Sequence, residues 1–181
     1  MAEADWFFGD VEYVYGAGLM DGTAETLFSP GLAMTRGMMV TVLGRCAGAS
    51  ASAASYSGRG AFVDVDAGAW YAPYVEWARE SGIAAGVGDG RFDPDGSITR
   101  QDLAALLHRY AEKTGAALPE ARSYAAFGDE AGIAGYARAA VEALHRAGVV
   151  SGKPGNAFDP AGTATRAEVA AMLHRFLEAA K

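Results

Sequence analysis

Three stretches of this chain can be laid over one another at the positions that most constrain a backbone. Phe28, Phe92 and Phe158 align, as do Pro30, Pro94 and Pro160, Thr35, Thr99 and Thr165, and Arg36, Arg100 and Arg166. The offsets are 64 and 66 residues at each of these positions. A shared period this long marks one supersecondary unit used three times, so any site built into the unit is expected to recur with it. A unit of this size buries little surface by itself. The copies, at residues 1–48, 60–114 and 125–181, are therefore expected to pack as one body.

The second copy is the fullest. Phe62-Val63-Asp64-Val65 reads as a short extended stretch, and Asp66-Ala67-Gly68 as a turn. Trp70-Tyr71 lead into a helix starting near Pro73, a residue tolerated in a first helical turn. Val75 and Ala78 line its buried side, and Gly82 supplies a stop that Gly18 and Gly148 repeat. The loop Gly86-Val87-Gly88-Asp89-Gly90 follows, then a second helix from Thr99. In that helix Leu103, Leu106, Leu107 and Tyr110 fall at i, i+3, i+4 and i+7, one apolar stripe. Met39, Val42, Leu43 and Cys46 repeat it in copy one, and Val169, Met172, Leu173 and Phe176 in copy three. The expected fold is all-α: three helix-loop-helix repeats burying their stripes centrally in a pseudo-threefold bundle. Segments 46–60 and 114–126, poor in core residues, join the copies.

Net charge is −7, with an isoelectric point near 4.9. Broad nucleic-acid binding needs a basic field, so that partner is not expected. An anionic partner requires local cationic pockets on an acidic body. The single cysteine, Cys46, excludes an internal disulfide, and its alignment with Tyr110 and Phe176 reads as a small buried hydrophobe. No stretch is long and apolar enough to insert into a membrane. Met1–Asp5 lacks the basic-then-apolar pattern of a secretory leader, so an exported protein would be represented here by its mature part.

Thr165-Arg166-Ala167-Glu168 fits a capping box; Thr99 with Asp102 keeps a weaker form, and copy one has Met38 in place of the acid. The arginine inside this motif is locally unfavourable, because the helix dipole disfavours a cation in the first turn by about 0.3–1 kcal/mol. Two reasons for Arg36, Arg100 and Arg166 stand open. The guanidinium pairs with a nearby carboxylate, or it joins the free helix amides in holding an external anion. Trp6, Trp70 and Tyr136 open the first helices, as core packing or as a platform for a sugar ring. Asp64 and Asp129 suit turn formation or ligand hydroxyls, and Gly22, Gly86 and Gly152 recur four residues after the helix-closing glycines.

Asp89, Asp93 and Asp95 suggest a calcium loop, but Pro94 interrupts it and no closing glutamate follows, so no metal is expected. His108, His145 and His174 share no metal-ligand spacing, and no cofactor motif or nucleophile elbow is present. No distinguished pair of carboxylates marks a glycosidase. The chain is not expected to be an enzyme.

Taken together, Phe62-Val63-Asp64-Val65, Trp70-Tyr71, Gly82-Ile83, Gly86, Phe92-x-Pro94, Ile98-Thr99-Arg100 and Leu106-Leu107-x-Arg109 resemble the S-layer homology (SLH) domain, in three tandem copies. Copy three carries the family's Thr-Arg-Ala-Glu unaltered at 165–168. The resemblance implies a three-pronged helical body with grooves between copies. It implies an extracellular anchor binding a secondary cell-wall polysaccharide, often through a pyruvylated amino sugar, with Arg36, Arg100 and Arg166 contacting the acidic sugar. A structural or protein-interaction module of the cell envelope is the alternative. Copy one departs furthest: it reads Thr35-Arg36-Gly37-Met38 and lacks the Phe-x-Asp opening. Copy two reads Thr99-Arg100-Gln101-Asp102, and copy three has Tyr136-Ala137 where Trp-Tyr is expected. Three similar pockets with different affinities are expected, the weakest drawing on copy one.

Overall fold

Each copy places two helices around a glycine-containing loop. A computed structural model describes residues 1–49 and 60–181; most of the joining segment expected at 46–60 lies outside the described residues. Copy one contributes α1 (Phe8–Gly16) and α2 (Arg36–Cys46), and copy two α3 (Ala72–Glu80) and α4 (Arg100–Thr114). Copy three contributes a 3-10 turn (Glu130–Gly132), α5 (Gly135–Arg146) and α6 (Arg166–Ala179). Among the described residues there is no strand, and pairing outside the helices is limited to isolated bridges. Phe62–Val65, expected to be extended, instead lies in a bend and turn. Its tether is a side chain: the Asp64 carboxylate accepts from the amides of Phe92 and Asp93.

The second helices begin as their sequences dictate. Thr35, Thr99 and Thr165 are extended N-caps whose hydroxyls accept from the amides of Met38, Asp102 and Glu168. Only Thr165 and Glu168 complete the reciprocal capping box. The first helices end at Gly18, Gly82 and Gly148, with φ of 69°, 72° and 77°. These left-handed residues turn the chain back, so that Leu19, Ile83 and Val149 enter the core and donate to carbonyls of the last turn. The apolar stripes are buried throughout, apart from Cys46, which is partly exposed. Burial pushes the Cys46 thiol up to about 12, so it persists as an unreactive thiol.

The packing differs from the covalent unit. The two helices of one copy do not pair with each other. Instead α2 packs on α3, α4 on α5, and α6 returns to α1. Each helix pair is thus shared by two copies, and the third copy closes on the first. At the centre, three residues just before the N-caps form a ring of backbone hydrogen bonds. The Met34 amide donates to Ala164 O (2.9 Å), Ala164 to Ile98 O (3.0 Å), and Ile98 to Met34 O (2.9 Å). All three side chains are buried.

Because every copy buries its helices against another copy, denaturation followed by circular dichroism is expected to show one cooperative transition. Leu107→Ala, at a fully buried α4 position, is expected to shift that whole transition by about 2–5 kcal/mol. A separate melt of one copy would contradict this packing.

Candidate functional site

The arginines at the starts of the second helices reach across to a neighbouring copy. Arg36 Nε donates to Phe92 O (2.9 Å) and Nη2 to Ala85 O (3.0 Å), with the guanidinium 4.8 Å above the Phe92 ring. Arg100 donates in the same way to Phe158 O (2.8 Å) and Ser151 O (3.4 Å), 5.3 Å above Phe158. Arg166 donates to Phe28 O (2.8 Å) and Asp21 O (2.5 Å), 4.4 Å above Phe28. Copy one therefore holds copy two, copy two holds copy three, and copy three holds copy one. A cation disfavoured by its own helix is stabilised by its neighbour's carbonyls and aromatic face. Of the two roles left open by sequence, carboxylate pairing occurs at Arg100, whose Nη1 lies 3.0 Å from Glu168. Burial holds Arg36 and Arg166 below the usual guanidinium pKa, partly offset by Asp102 and Asp93 for Arg36 and by Asp21 for Arg166. Both remain cationic.

These contacts build grooves. One, of about 480 Å³, is lined by Arg166, Trp70, the loop through Asp21, Gly22 and Thr23, and one face of α2. Another, of about 340 Å³, is lined by Arg100, Trp6, the loop through Ser151, Gly152 and Lys153, and the matching face of α6. In each, one copy supplies the loop and helix, the next the aromatic, and the previous one the arginine. The corresponding residues of α4 meet in the same sense, with Arg36 bonded to Ala85 O and Tyr136 Oη donating to Asp102 Oδ1 at 2.5 Å. Trp6, Trp70 and Tyr136 are 64%, 57% and 55% exposed, which separates them from the packed core.

The other candidates sit behind these grooves. Asp64 accepts from the Phe92 and Asp93 amides at 2.8 Å each, and Asp129 from Phe158 and Asp159 at 2.7 Å each. Burial raises both carboxyl pKa values, but these amides, each carboxylate's own backbone N–H and a nearby arginine (Arg91 or Arg100) together hold them below the usual range. Gly22, Gly86 and Gly152 serve close backbone approach. A Cβ would stand 2.7 Å from Ala24 O at Gly22, 2.4 Å from Arg91 O at Gly86, and 3.2 Å from the Phe127 ring at Gly152. Gly22 and Gly152 also line their grooves.

Sequence reasoning missed the helix face that floors each groove: Met38, Thr41, Val42 and Arg45 on α2, and Glu168, Ala171, Met172 and Arg175 on α6. The signal was present. These residues form a second i, i+3, i+4, i+7 set, one residue ahead of the core stripe, ending in an arginine that recurs at 45, 109 and 175. Asp21 and Arg45 pair at 2.7 Å in the first groove. Lys153 lies 2.7 Å from Asp159 and 3.4 Å from Glu168 beside the α6 groove. Burial opposes ionisation of Glu168, yet the Thr165 amide and Arg100 hold its pKa below the usual range. Among the described residues no group of three His, Cys, Asp or Glu could hold a metal ion, and no helix is long and apolar enough to cross a membrane. The grooves offer a guanidinium, loop carbonyls and an exposed ring, which suit an oxygen-rich anionic ligand with an apolar face.

Two outcomes are expected. Arg100→Ala, removing a side chain only 4% exposed, should cost about 2–4 kcal/mol in denaturant unfolding. Arg36→Ala, at a more exposed site without a close carboxylate partner, should cost less. The depressed pKa values of Asp64, Asp129 and Glu168 mean that their contribution is present above the unfolded-state pKa and is lost as pH falls through the lower folded values. Stability measured from pH 7 down to pH 3 (the ordinary carboxylate range and just below it) should therefore fall, and more shallowly in Glu168→Gln.

The profile of the S-layer homology domain matches residues 1–38, 61–104 and 126–170. The chain is 32% identical over 174 residues to an amylopullulanase of Thermoanaerobacterium thermosulfurigenes, covering 96% of this chain and 9% of that protein. It is 28% identical over 162 residues to a cellulosome-anchoring protein of Acetivibrio thermocellus, covering 90% of this chain and 36% of that protein. With the surface-layer 125 kDa protein of Lysinibacillus sphaericus it shares 26% identity over 171 residues, 93% of this chain and 14% of the other. The chain thus spans a minor part of the curated relatives it matches. A match in all three copies, with the intervals seen in the structure, places this chain in the S-layer homology domain family.

Proposed function

We propose that this chain is a non-catalytic cell-surface anchor. Its three helix pairs form a pseudo-threefold body that binds an acidic cell-wall polysaccharide in the grooves between copies. The observation that carries this reading is the pairing of a guanidinium with a solvent-exposed tryptophan across a groove no single copy could build. A ring such as indole takes the apolar face of a sugar. The Arg166 guanidinium, bonded to neutral carbonyls, keeps its charge for a carboxylate, whereas Arg100 shares its charge with Glu168; a terminal pyruvylated amino sugar offers both a carboxylate and an apolar face. A body of net charge −7 then attracts an anion only inside these pockets. The relatives support an attachment role, since their matched region is a small part of proteins as different as an amylopullulanase and a cellulosome-anchoring protein.

The structure changes the mutation best suited to test this. Arg100→Ala and Arg166→Ala confuse ligand loss with unfolding, because both side chains hold the body together. Trp70→Ala and Trp6→Ala remove exposed rings. Each should leave the melting temperature unchanged and weaken co-sedimentation with purified cell walls at least about tenfold, or about 1.4 kcal/mol. Pyruvylated amino sugar should compete, and envelope peptides should not. Undiminished sedimentation of the double variant, or competition by peptide alone, refutes the reading.

A further inference from the structure

Segment 114–126, which joins copies two and three, is tied to the end of α5 by one arginine. The Arg122 amide donates to Arg146 O (3.1 Å), its Nε to His145 O (2.6 Å) and its Nη2 to Val150 O (2.6 Å). Leu118 and Tyr124 of the same segment pack against the core. The His145 and Arg146 carbonyls belong to the last turn of α5, where the helix dipole favours a cation. Val150 directly precedes the loop of the α6 groove, whose Ser151 carbonyl is held by Arg100 and whose Gly152 and Lys153 line the groove. Arg122 and Arg100 thus hold neighbouring carbonyls of one stretch of chain.

The same brace encloses the His145 side chain. His145 is 9% exposed, and its ring lies perpendicular to those of Tyr124 and Phe127, with centroids 5.3 Å from each. Its Nδ1 is fully buried and has no hydrogen-bond partner, which is true of no other side-chain nitrogen or oxygen among the described residues. The charges that act on it are both positive, Arg122 from the joining segment and Arg146 from its own helix. The acids nearby are engaged elsewhere. Glu130 accepts from the Tyr124 hydroxyl at 2.9 Å, while Glu142, bonded at 2.9 Å, and Glu120 favour the Arg146 cation. A neutral imidazole suits this cage, because it can leave Nδ1 bare and carry its proton on Nε2. An imidazolium carries N–H on both nitrogens, so its Nδ1–H would be buried without an acceptor beside two arginines. Burial, then Arg122 and Arg146, hold the His145 pKa below the ordinary histidine value.

We propose that His145 is a proton-operated latch on this brace. Protonation drives the ring from between Tyr124 and Phe127, Arg122 lets go of the His145, Arg146 and Val150 carbonyls, and the loop of the α6 groove loosens. Loss of the proton lets the ring return and the brace close. Because the folded-state pKa lies below that of the unfolded chain, the closed brace is fully favoured above about pH 6.5 and is lost as pH falls through the lowered folded value. The latch does not depend on what the groove binds.

The test follows hydrogen exchange at the Arg122 amide in the whole chain, without ligand, at about pH 7.5 and about pH 5, corrected for the intrinsic effect of pH on exchange. Protection of that amide should fall about tenfold on acidification, with the helical circular dichroism retained. In His145→Phe, whose ring takes up no proton, protection should stay within about twofold. In the unaltered chain the His145 ring carbons, followed by NMR, should titrate below about pH 6.5, with the same midpoint as the Arg122 amide shift. That titration needs no variant and decides the matter if His145→Phe does not fold. An Arg122 amide indifferent to pH, an equal loss of protection in His145→Phe (which would place the proton on an acid such as Glu130), or an imidazole titrating at the ordinary histidine value overturns the proposal.

Discussion

The guanidinium fork of Arg36, Arg100 and Arg166 is the interaction on which the remaining architecture depends. A helix start repels a cation, so the side chain has to find its stabilisation elsewhere. It finds it in two carbonyls and an aromatic face of another copy. A lysine could supply the charge but not two fixed donors and a flat surface to stack on the ring. Each arginine thereby holds the loop that runs from the end of the neighbour's first helix to its Phe-x-Pro turn. Because the chain of contacts runs from copy one to two, two to three and three to one, each loop is gripped by an arginine of another copy.

The same contacts that stabilise the body shape its grooves. A loop fixed by an arginine from one side becomes the wall of a cleft on the other, and that arginine lies at the cleft's edge. Carbonyl acceptors leave the guanidinium charge uncompensated, whereas a carboxylate partner cancels it. Here the copies diverge: Arg100 is paired with Glu168, the charges of Asp102 and Asp93 favour the cation at Arg36, and at Arg166 that influence comes from Asp21, which is itself paired with Arg45. One scaffold therefore presents three electrostatic environments, and the residue three positions after the N-cap (Met38, Asp102 or Glu168) does much to set the difference. Copy one, read from sequence as the weakest contributor to binding, has the one helix start without an acid there.

Much of the fold was legible because its signals are local. The threonine caps, the closing glycines and the core stripes are each set within one or two turns of chain, and all appear where sequence places them. Phe62–Val65 was misread as extended because alternation cannot reveal that Asp64 finds two amides near Phe92, and that a side chain does the work of a ladder. The groove floor was legible and overlooked: Arg45, Arg109 and Arg175 recur with the period, but their stripe adjoins a stronger apolar one. The exposure of Trp6, Trp70 and Tyr136 could not be decided from sequence, because an aromatic before a helix faces core or solvent according to what packs beside it.

Sequence alone determined that there are three equivalent units, where their helices begin and end, which faces are buried, and which residues recur as site candidates. Those properties depend on hydrogen bonds and side-chain spacing within a few residues. Only the tertiary structure decided that the repeated unit is not the packed unit, with α2 on α3, α4 on α5 and α6 on α1. Only it decided that the arginines grip the next copy and that each groove draws on all three. A periodic sequence is equally consistent with helices pairing inside or between copies, since the same stripes are buried either way. The choice rests on contacts about 50 to 145 residues apart, such as Arg36 to Ala85 and Arg166 to Asp21, which no local pattern encodes.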